Sequence, residues 1–453
     1  MLQEILPYWF MDFLPAWMFV FLFGLLMIGY PVAFTIGALA LLFGWLGFGL
    51  SFFNLLPLRI WGVMTNFTLV AVPLFVFMGV TLERSGLAED LLDTMALLFG
   101  RIRGGLAISV TVVGALLAAS TGIVGATTVT MGLLSLPTML RRNYQPELAA
   151  GTIAASGTLG QIIPPSIVLV VLADIMNISV GDLFVGAVIP GFLLVALYLI
   201  YIVAVGIFRP EAAPAIPAEE LAAISRQELT RRVMRSLVPP LALMLAVLGS
   251  IFAGIAAPTE AAAVGATVAL LLVLWNGKFS MEMLRGVMRT TVRLTSMVFI
   301  ILVGAQTFGL TFRGLGGDDL IRNFIGHLPF GEWGVLAIVM MTLFMAGFFL
   351  DFIEICFIHV PVLAPLMLYF GFNPVWFAVL IAVNLQTSFL TPPFGYALFY
   401  LKSVCPPSVT TGHIYRGIVP FVILQMIGLF ITVLFPQMVL WLPCVVFGST
   451  CVK

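Results

Sequence analysis

Pro137, Pro146, Pro164 and Pro165 reappear as Pro365, Pro374, Pro392 and Pro393, each 228 positions later, inside segments that are otherwise strongly apolar. Gly86, Leu87 and Asp90 keep the same offset with Gly314, Leu315 and Asp318, and Pro31 comes within one residue of it against Pro258. So constant an offset marks a duplicated chain. Proline removes a backbone donor and interrupts a helix. Interrupted helices at matching places in two halves are the best sequence pointer to the binding site of a secondary transporter.

The segments around these prolines decide the medium. Apolar residues make up 62% of the chain and charged residues 9%, and uncharged runs of 20 or more residues recur along it. A spanning helix needs about 20 apolar residues, so the expected fold class is an all-α polytopic membrane protein in a lipid bilayer. The short alternating segments of a β-barrel are absent. A formal net charge of zero provides no field that would suggest a nucleic-acid partner. The opening residues lack the basic region and small-residue cleavage site of a signal peptide, so the first helix is expected to be retained.

The longest polar stretch, 209–237, carries Arg209, Arg226, Arg231, Arg232 and Arg235 and divides a first repeat, 1–208, from a second, 238–436. So many arginines place this linker in the cytoplasm. Its later part, 218–237, has the spacing of an amphipathic surface helix. Counting outward gives five crossings and one re-entrant hairpin per half, with hairpins at about 104–140 and 332–370 and broken helices at about 148–175 and 375–404. Arg84, Arg101, Arg103, Arg141 and Arg142 flank the first hairpin, whereas 327–334 and 369–375 around the second contain no Lys or Arg. An odd number of crossings turns the second half upside down, which makes the duplication an inverted repeat. Residues 437–453 read as a C-terminal tail, where Cys444 and Cys451 pair if the tail faces an oxidising compartment.

Each half joins a hairpin to a helix interrupted at a Pro-Pro pair. Ser120-Thr121-Gly122, with Gly125, Thr127 and Thr128, forms a hydroxyl-rich first tip, and Ser156-Gly157-Thr158-Leu159-Gly160-Gln161-Ile162-Ile163-Pro164-Pro165 is the broken helix facing it. The second half supplies Asn384-Leu385-Gln386-Thr387-Ser388-Phe389-Leu390-Thr391-Pro392-Pro393. Freed carbonyls and hydroxyls make a hard-oxygen site suited to Na⁺, and half-helix N-termini offer N–H groups to an anion. Any one hydroxyl also has a plain reading as close helix packing. Candidate substrate-binding residues are Thr121, Gly122, Ser156, Thr158, Pro165, Asn384, Thr387 and Pro393. Asp351 and Glu354 lie in the second hairpin, where their counterparts Ile123 and Ala126 are apolar. They are either functional acids at membrane depth or shallow, solvated ones. Asp174, Glu260 and His359 carry weaker signals, and Glu260, after a proline at a turn, reads as structural. No G-x-x-x-x-G-K-[ST] or H-E-x-x-H motif is present, which disfavours nucleotide hydrolysis by a phosphate loop and zinc proteolysis.

At Gly29-Tyr30-Pro31-Val32-Ala33-Phe34, Gly160-Gln161-Ile162-Ile163-Pro164-Pro165-Ser166, Ala257-Pro258-Thr259-Glu260-Ala261 and Thr391-Pro392-Pro393-Phe394-Gly395 the chain resembles the DctM family. These are the large membrane subunits of tripartite ATP-independent periplasmic (TRAP) transporters, and the likeness spans about residues 14–435. The resemblance implies an elevator-type importer of organic acids in the bacterial inner membrane, coupled to Na⁺. It also implies two partners, a small four-helix membrane subunit (DctQ-like) and a periplasmic substrate-binding protein (DctP-like). Carried over by motif, one Na⁺ site would use Ser120 with the carbonyls around Gly160, Ile163 and Pro164, and the other Gly347, Thr387, Ser388 and Thr391. Substrate would sit between the hairpin tips. The acidic second hairpin, Gly347-Phe348-Phe349-Leu350-Asp351-Phe352-Ile353-Glu354, is closer to members associated with 2-oxo acids and other small monocarboxylates than to the sialic-acid branch. Beside an anion path those acids would serve cation coordination or docking. Two other readings are a stand-alone carboxylate carrier needing no binding protein, and an intramembrane enzyme, for which the chain offers no paired nucleophile and base.

Overall fold

The computed structural model describes residues 13–449 except 123, 218, 220–224, 327, 328, 330, 393 and 394, with the backbone alone at 119–121 and 324–326. Regular structure among these residues is helical. The chain forms two compact units, one made of the residues up to Phe67 with Arg293–Pro374, the other of Thr68–Val292 with the residues from Val375 onward. Each unit thus draws on both halves of the duplication.

In the first unit the Leu14–Ile28 helix ends on Gly29, whose φ of +96° suits only glycine, and Pro31 opens the Val32–Phe48 helix. Later sequence knits onto these two helices. Thr311 Oγ1 donates to the Ala40 carbonyl at 3.1 Å, and the Phe19 ring meets the edges of Phe308 and Phe312 at 5.4 Å each. The segment expected as the second hairpin consists of the Glu332–Ala346 helix followed by Phe352–Ile358 and Val360–Tyr369, bent by 56° at His359. Pro361 supplies no N–H to the carbonyl of Phe357, which accounts for the bend.

The second unit is organised around two helices buried on every side. All residues from Leu148 to Thr158 in the Pro146–Thr158 helix are buried, as are all from Val375 to Leu390 in the Pro374–Leu390 helix. A helix apolar all round belongs in an interior. The flanking Val180–Phe208 and Thr411–Leu434 helices are only 28% and 33% buried over their most apolar windows and expose side chains such as Phe208, Ile207 and Phe430. A bilayer solvates such faces.

Among the described residues six helices are long and apolar enough to cross a membrane, or eight if two bent pairs count as one span each. The sequence count of five crossings per half is higher because the Leu14–Ile28 helix has 15 residues and each arm of an interrupted helix is also too short alone. One detail of the repeat is corrected. The turn glycine before the Leu87–Phe99 helix is Gly86 (φ +71°), and its structural counterpart is Gly316 (φ +81°), which precedes the Gly317–Gly326 helix; Gly314 ends the long Met281–Gly314 helix instead.

The linker is only partly free-standing. Ala212 and Ala213 accept from the N–H groups of Gln145 and Gly104, and Ile216 N–H donates to Gly100, so its first part is tied to the loops flanking the first helical pair. Its later helix is Arg226–Ser236, capped by Ser225 Oγ, which accepts from Glu228 N at 3.1 Å. The expected tail contains the Gln437–Phe447 helix, which packs on the Val180–Phe208 helix through Val439 and Leu440. Cys451 lies outside the described residues, and Cys356 and Cys405 are free thiols.

Candidate functional site

The two interruptions form in matching register. Pro146 and Pro374 open their helices at the first position, where proline loses no hydrogen bond. The first helix tightens into a 3₁₀ turn at Leu159–Gln161, breaks at Pro164-Pro165 and resumes at Ile167–Met176. The second stops at Leu390 and resumes at Tyr396–Val404. Proline at 164 and 165 leaves the carbonyls of Gly160 and Gln161 without helical donors. Gln161 O takes the Ser166 hydroxyl instead, at 2.9 Å.

The first helical pair, Gly105–Thr121 and Val124–Arg141, wraps this break by close approach at glycines. A Cβ on Gly114 would lie 2.6 Å from Ser156 Cβ, one on Gly157 would lie 2.3 Å from Thr128 Oγ1, and one on Gly160 would lie 2.2 Å from the Ala118 carbonyl oxygen. At the tip, Gly122 takes φ +63° and presses on the backbone nitrogen of Ile167, where the second arm begins. The other side of the pair meets the second interrupted helix, with Gly125 against the Tyr400 ring and Gly132 against Leu401 and Val404. The first helical pair therefore touches both interrupted helices.

Gln386 Nε2 donates to Thr158 Oγ1 at 3.4 Å, and these residues are 228 apart, the offset of the repeat. An inverted repeat with its two-fold axis between the interrupted helices would bring such counterparts together. Close to Gln386 lie Tyr198 and Gln425, each on the helix that follows an interruption and one position out of exchange with the other. Tyr198, Gln386 and Gln425 are fully buried, and the Tyr198 hydroxyl faces both amides; among the described residues Tyr198 Oη, Gln386 Oε1 and both amide atoms of Gln425 are held loosely, outside ideal hydrogen-bond geometry. Polar groups held this deep usually find a well-placed partner. Sequence reasoning overlooked Tyr198 and Gln425 because each stands alone in an apolar helix; pairing polar residues across the repeat offset, with a tolerance of one, would have found them.

The hydroxyls of the candidate residues are spent locally as donors while keeping acceptor capacity. Ser156 Oγ donates to Thr152 O (2.6 Å), Thr158 Oγ1 to Ala155 O (2.9 Å), Thr387 Oγ1 to Val383 O (2.9 Å), Ser388 Oγ to Leu385 O (2.8 Å) and Thr391 Oγ1 to Thr387 O (2.8 Å). This back-bonding leaves lone pairs on neutral oxygens. Asn384 is buried one and a half turns before the second break, and Pro164 and Pro165 are buried at the first, beside a half-buried Ile163. The side chains of Ser120 and Thr121, and Pro393 as a whole, lie outside the described residues. Gly347 caps the Glu332–Ala346 helix, its N–H donating to Leu343 O, and belongs to the first unit. Among the described residues no group of three His, Cys, Asp or Glu gathers as a metal site. Carbonyls and hydroxyls are the donors at the breaks, a set that fits a hard monovalent cation.

Asp351 and Glu354 have a local role at the start of the Phe352–Ile358 helix. The N-cap N–H of Asp351 donates to Glu354 Oε2 at 3.0 Å, which is half of a capping box. Glu260 does the same for Ala257 at 2.8 Å. Glu354→Gln, which keeps an acceptor for that N–H, is expected to hold uptake within about twofold of the parent, and Glu354→Ala to lower stability by about 1 kcal/mol. Uptake and thermal unfolding of the two variants check this; an inactive Glu354→Gln protein would reassign the acid to ion binding.

Residues 19–438 match the family described as "Tripartite ATP-independent periplasmic transporter, DctM component". The chain is 31% identical over 391 residues to the C4-dicarboxylate TRAP transporter large permease protein DctM of Pseudomonas aeruginosa, covering 86% of this chain and 89% of that one. It is 27% identical to the ectoine permease TeaC of Halomonas elongata (92% and 96% covered) and 29% identical to the sialic acid permease SiaM of Vibrio cholerae (93% and 96%). Among solved structures, the YdaH transporter of Alcanivorax borkumensis superposes with a TM-score of 0.61 at 15% identity, covering 97% of this chain and 99% of that one. That last likeness concerns the fold alone. The family's tripartite organisation implies a small DctQ-like membrane subunit and a periplasmic binding protein as partners. With a family match across nearly its whole length, this chain belongs to the DctM family: it is the large, multi-pass permease subunit of a TRAP transporter of the bacterial cytoplasmic membrane, a transport protein and not an enzyme.

Proposed function

We propose that this subunit imports a small organic acid with Na⁺, taking it from a periplasmic binding protein and carrying it by an elevator movement. The observation that carries this reading is the meeting of two interrupted helices at residues 228 apart, with neutral oxygens and freed carbonyls at both breaks. Oxygen donors without a fixed negative charge suit a monovalent cation, and a bound cation beside half-helix N-termini offers a carboxylate a positive field. The named relatives carry C4-dicarboxylates, sialic acid and ectoine, and all of these bear a carboxylate. The acidic stretch 347–354 resembles that of family members associated with 2-oxo acids and other small monocarboxylates more than that of the sialic-acid branch, and on that resemblance the substrate is a small monocarboxylate.

In this reading Gly160, Ile163 and Pro164 would hold one Na⁺ with Ser120, while Thr387, Ser388 and Thr391 would hold another. Thr121, Gly122, Ser156, Thr158, Asn384, Pro165 and Pro393 would contact substrate. The ion supplies charge compensation; the chain's own part is to hold the oxygens in place and to exclude water. Thr391→Ala is expected to raise the Na⁺ concentration needed for half-maximal uptake several-fold while changing stability by about 1 kcal/mol or less, and Thr158→Ala to raise the substrate concentration needed instead. Sodium and substrate titrations of uptake alongside thermal unfolding check this. Unchanged sodium dependence of Thr391→Ala would remove that residue from the ion site.

A further inference from the structure

The second unit has a groove at one end that the transport reading does not use. The Pro146–Thr158 and Thr411–Leu434 helices touch where a Cβ on Gly417 would lie 2.0 Å from the Glu147 carbonyl oxygen, and the Tyr201 ring meets the edge of Phe421 at 5.2 Å. Beyond these contacts the Val180–Phe208 helix helps to enclose a cavity of about 520 Å³. One wall is apolar, formed by Tyr201, Val205, Phe208 and Pro420, and Phe208 is 82% exposed. The rim carries Arg209, Arg416 and Glu147.

Both arginines are exposed, and neither guanidinium has a hydrogen-bond or ion-pair partner among the described residues. The Glu147 carboxylate has a distant neighbour, His413 Nε2 at 4.0 Å. Arg209 opens the polar linker and Gln145 on the same rim follows Arg141 and Arg142, so the arginine distribution assigns this end to the cytoplasmic leaflet. Basic pockets between spanning helices on that side bind phosphate headgroups. An anionic headgroup alone would face Glu147 unfavourably. A headgroup carrying both phosphate and a hydrogen-bonding ammonium satisfies all three charges.

We propose that this groove binds a phosphoethanolamine phospholipid, with its phosphate on Arg209 and Arg416, its ammonium on Glu147 and an acyl chain along Tyr201, Val205, Phe208 and Pro420. Guanidinium groups pair with phosphate through several N–H donors, while a carboxylate distinguishes a primary ammonium from a quaternary one by hydrogen bonding.

The test is native mass spectrometry of the full chain with its small subunit, equilibrated with phosphatidylethanolamine, phosphatidylglycerol or phosphatidylcholine and with glycerophosphoethanolamine as a chain-free competitor. Phosphatidylethanolamine should be retained at least fivefold over phosphatidylcholine and over phosphatidylglycerol. R209Q/R416Q should lose retention of all three lipids, and E147Q should keep retention but lose the preference for ethanolamine over choline. Equal retention of the three lipids, a preference for phosphatidylglycerol, or an unchanged R209Q/R416Q protein would overturn the assignment. Displacement by glycerophosphoethanolamine as effective as by the whole lipid would assign the rim to a soluble phosphate compound instead. E147Q alone still decides the headgroup if the double variant does not fold.

Discussion

Gly160→Val is expected to lower uptake by at least about tenfold and to reduce thermal stability clearly. A Cβ at this position would sit 2.2 Å from the Ala118 carbonyl oxygen and 2.5 Å from its carbon. These are backbone atoms at the end of the Gly105–Thr121 helix, so no side chain can rotate out of the way. Overpacking a fitted interior costs about 1–3 kcal/mol, and here relief requires the helical pair to move off the break it encloses. Gly249→Val is the control, because nothing lies within 4 Å of its Cβ position and the Val238–Phe252 helix faces outward there. Uptake per folded molecule, with unfolding temperature measured beside it, separates the two. A Gly160→Val protein with normal uptake would mean that the break is not clasped by the first helical pair.

The second large effect is expected at Gln386. Gln386→Glu changes shape little, but it removes the N–H donor to Thr158 Oγ1 and puts a carboxylate where the side chain is fully buried. An uncompensated charge at such a site costs several kcal/mol or forces protonation. The variant should therefore express poorly, unfold at lower temperature and lose uptake about tenfold or more. Gln386→Met removes the same hydrogen bond without introducing charge, and a change near 1 kcal/mol is expected because Thr158 keeps its bond to Ala155 O. If glutamate were tolerated as well as methionine, the junction between the interrupted helices would be open to water or cations rather than enclosed by protein.

The interruptions were legible because proline has a covalent consequence: with no N–H at 164 and 165 the carbonyls of Gly160 and Gln161 lose their helical donors, and two such losses in succession end a helix that a single proline, as at Pro190 or Pro420, leaves continuous. The constant offset then leads to Thr158 and Gln386, which meet at 3.4 Å. Other features depend on surroundings that a sequence does not display. Gly86 aligned with Gly314 by count, whereas backbone conformation pairs it with Gly316, since a helix end can shift by two residues without disturbing the apolar pattern. Tyr198 and Gln425 gain meaning only from the packing that joins their helices to Gln386. The Asp351-x-x-Glu354 pattern was readable as a capping box, yet the rarity of acids in membrane segments drew attention to function first. Residues 437–453 read as a tail, whereas Pro436 and Gly448 mark the ends of the Gln437–Phe447 helix, which packs on the Val180–Phe208 helix.

The most direct test of Na⁺-coupled, binding-protein-dependent import is uptake of labelled carboxylates into proteoliposomes holding this chain and its small subunit. It is measured with and without an inward Na⁺ gradient, and with and without the loaded binding protein. The account predicts accumulation of one class of small carboxylate only when gradient and binding protein are both present. Accumulation by the large chain without a binding protein, or equally well in the absence of Na⁺, would contradict it.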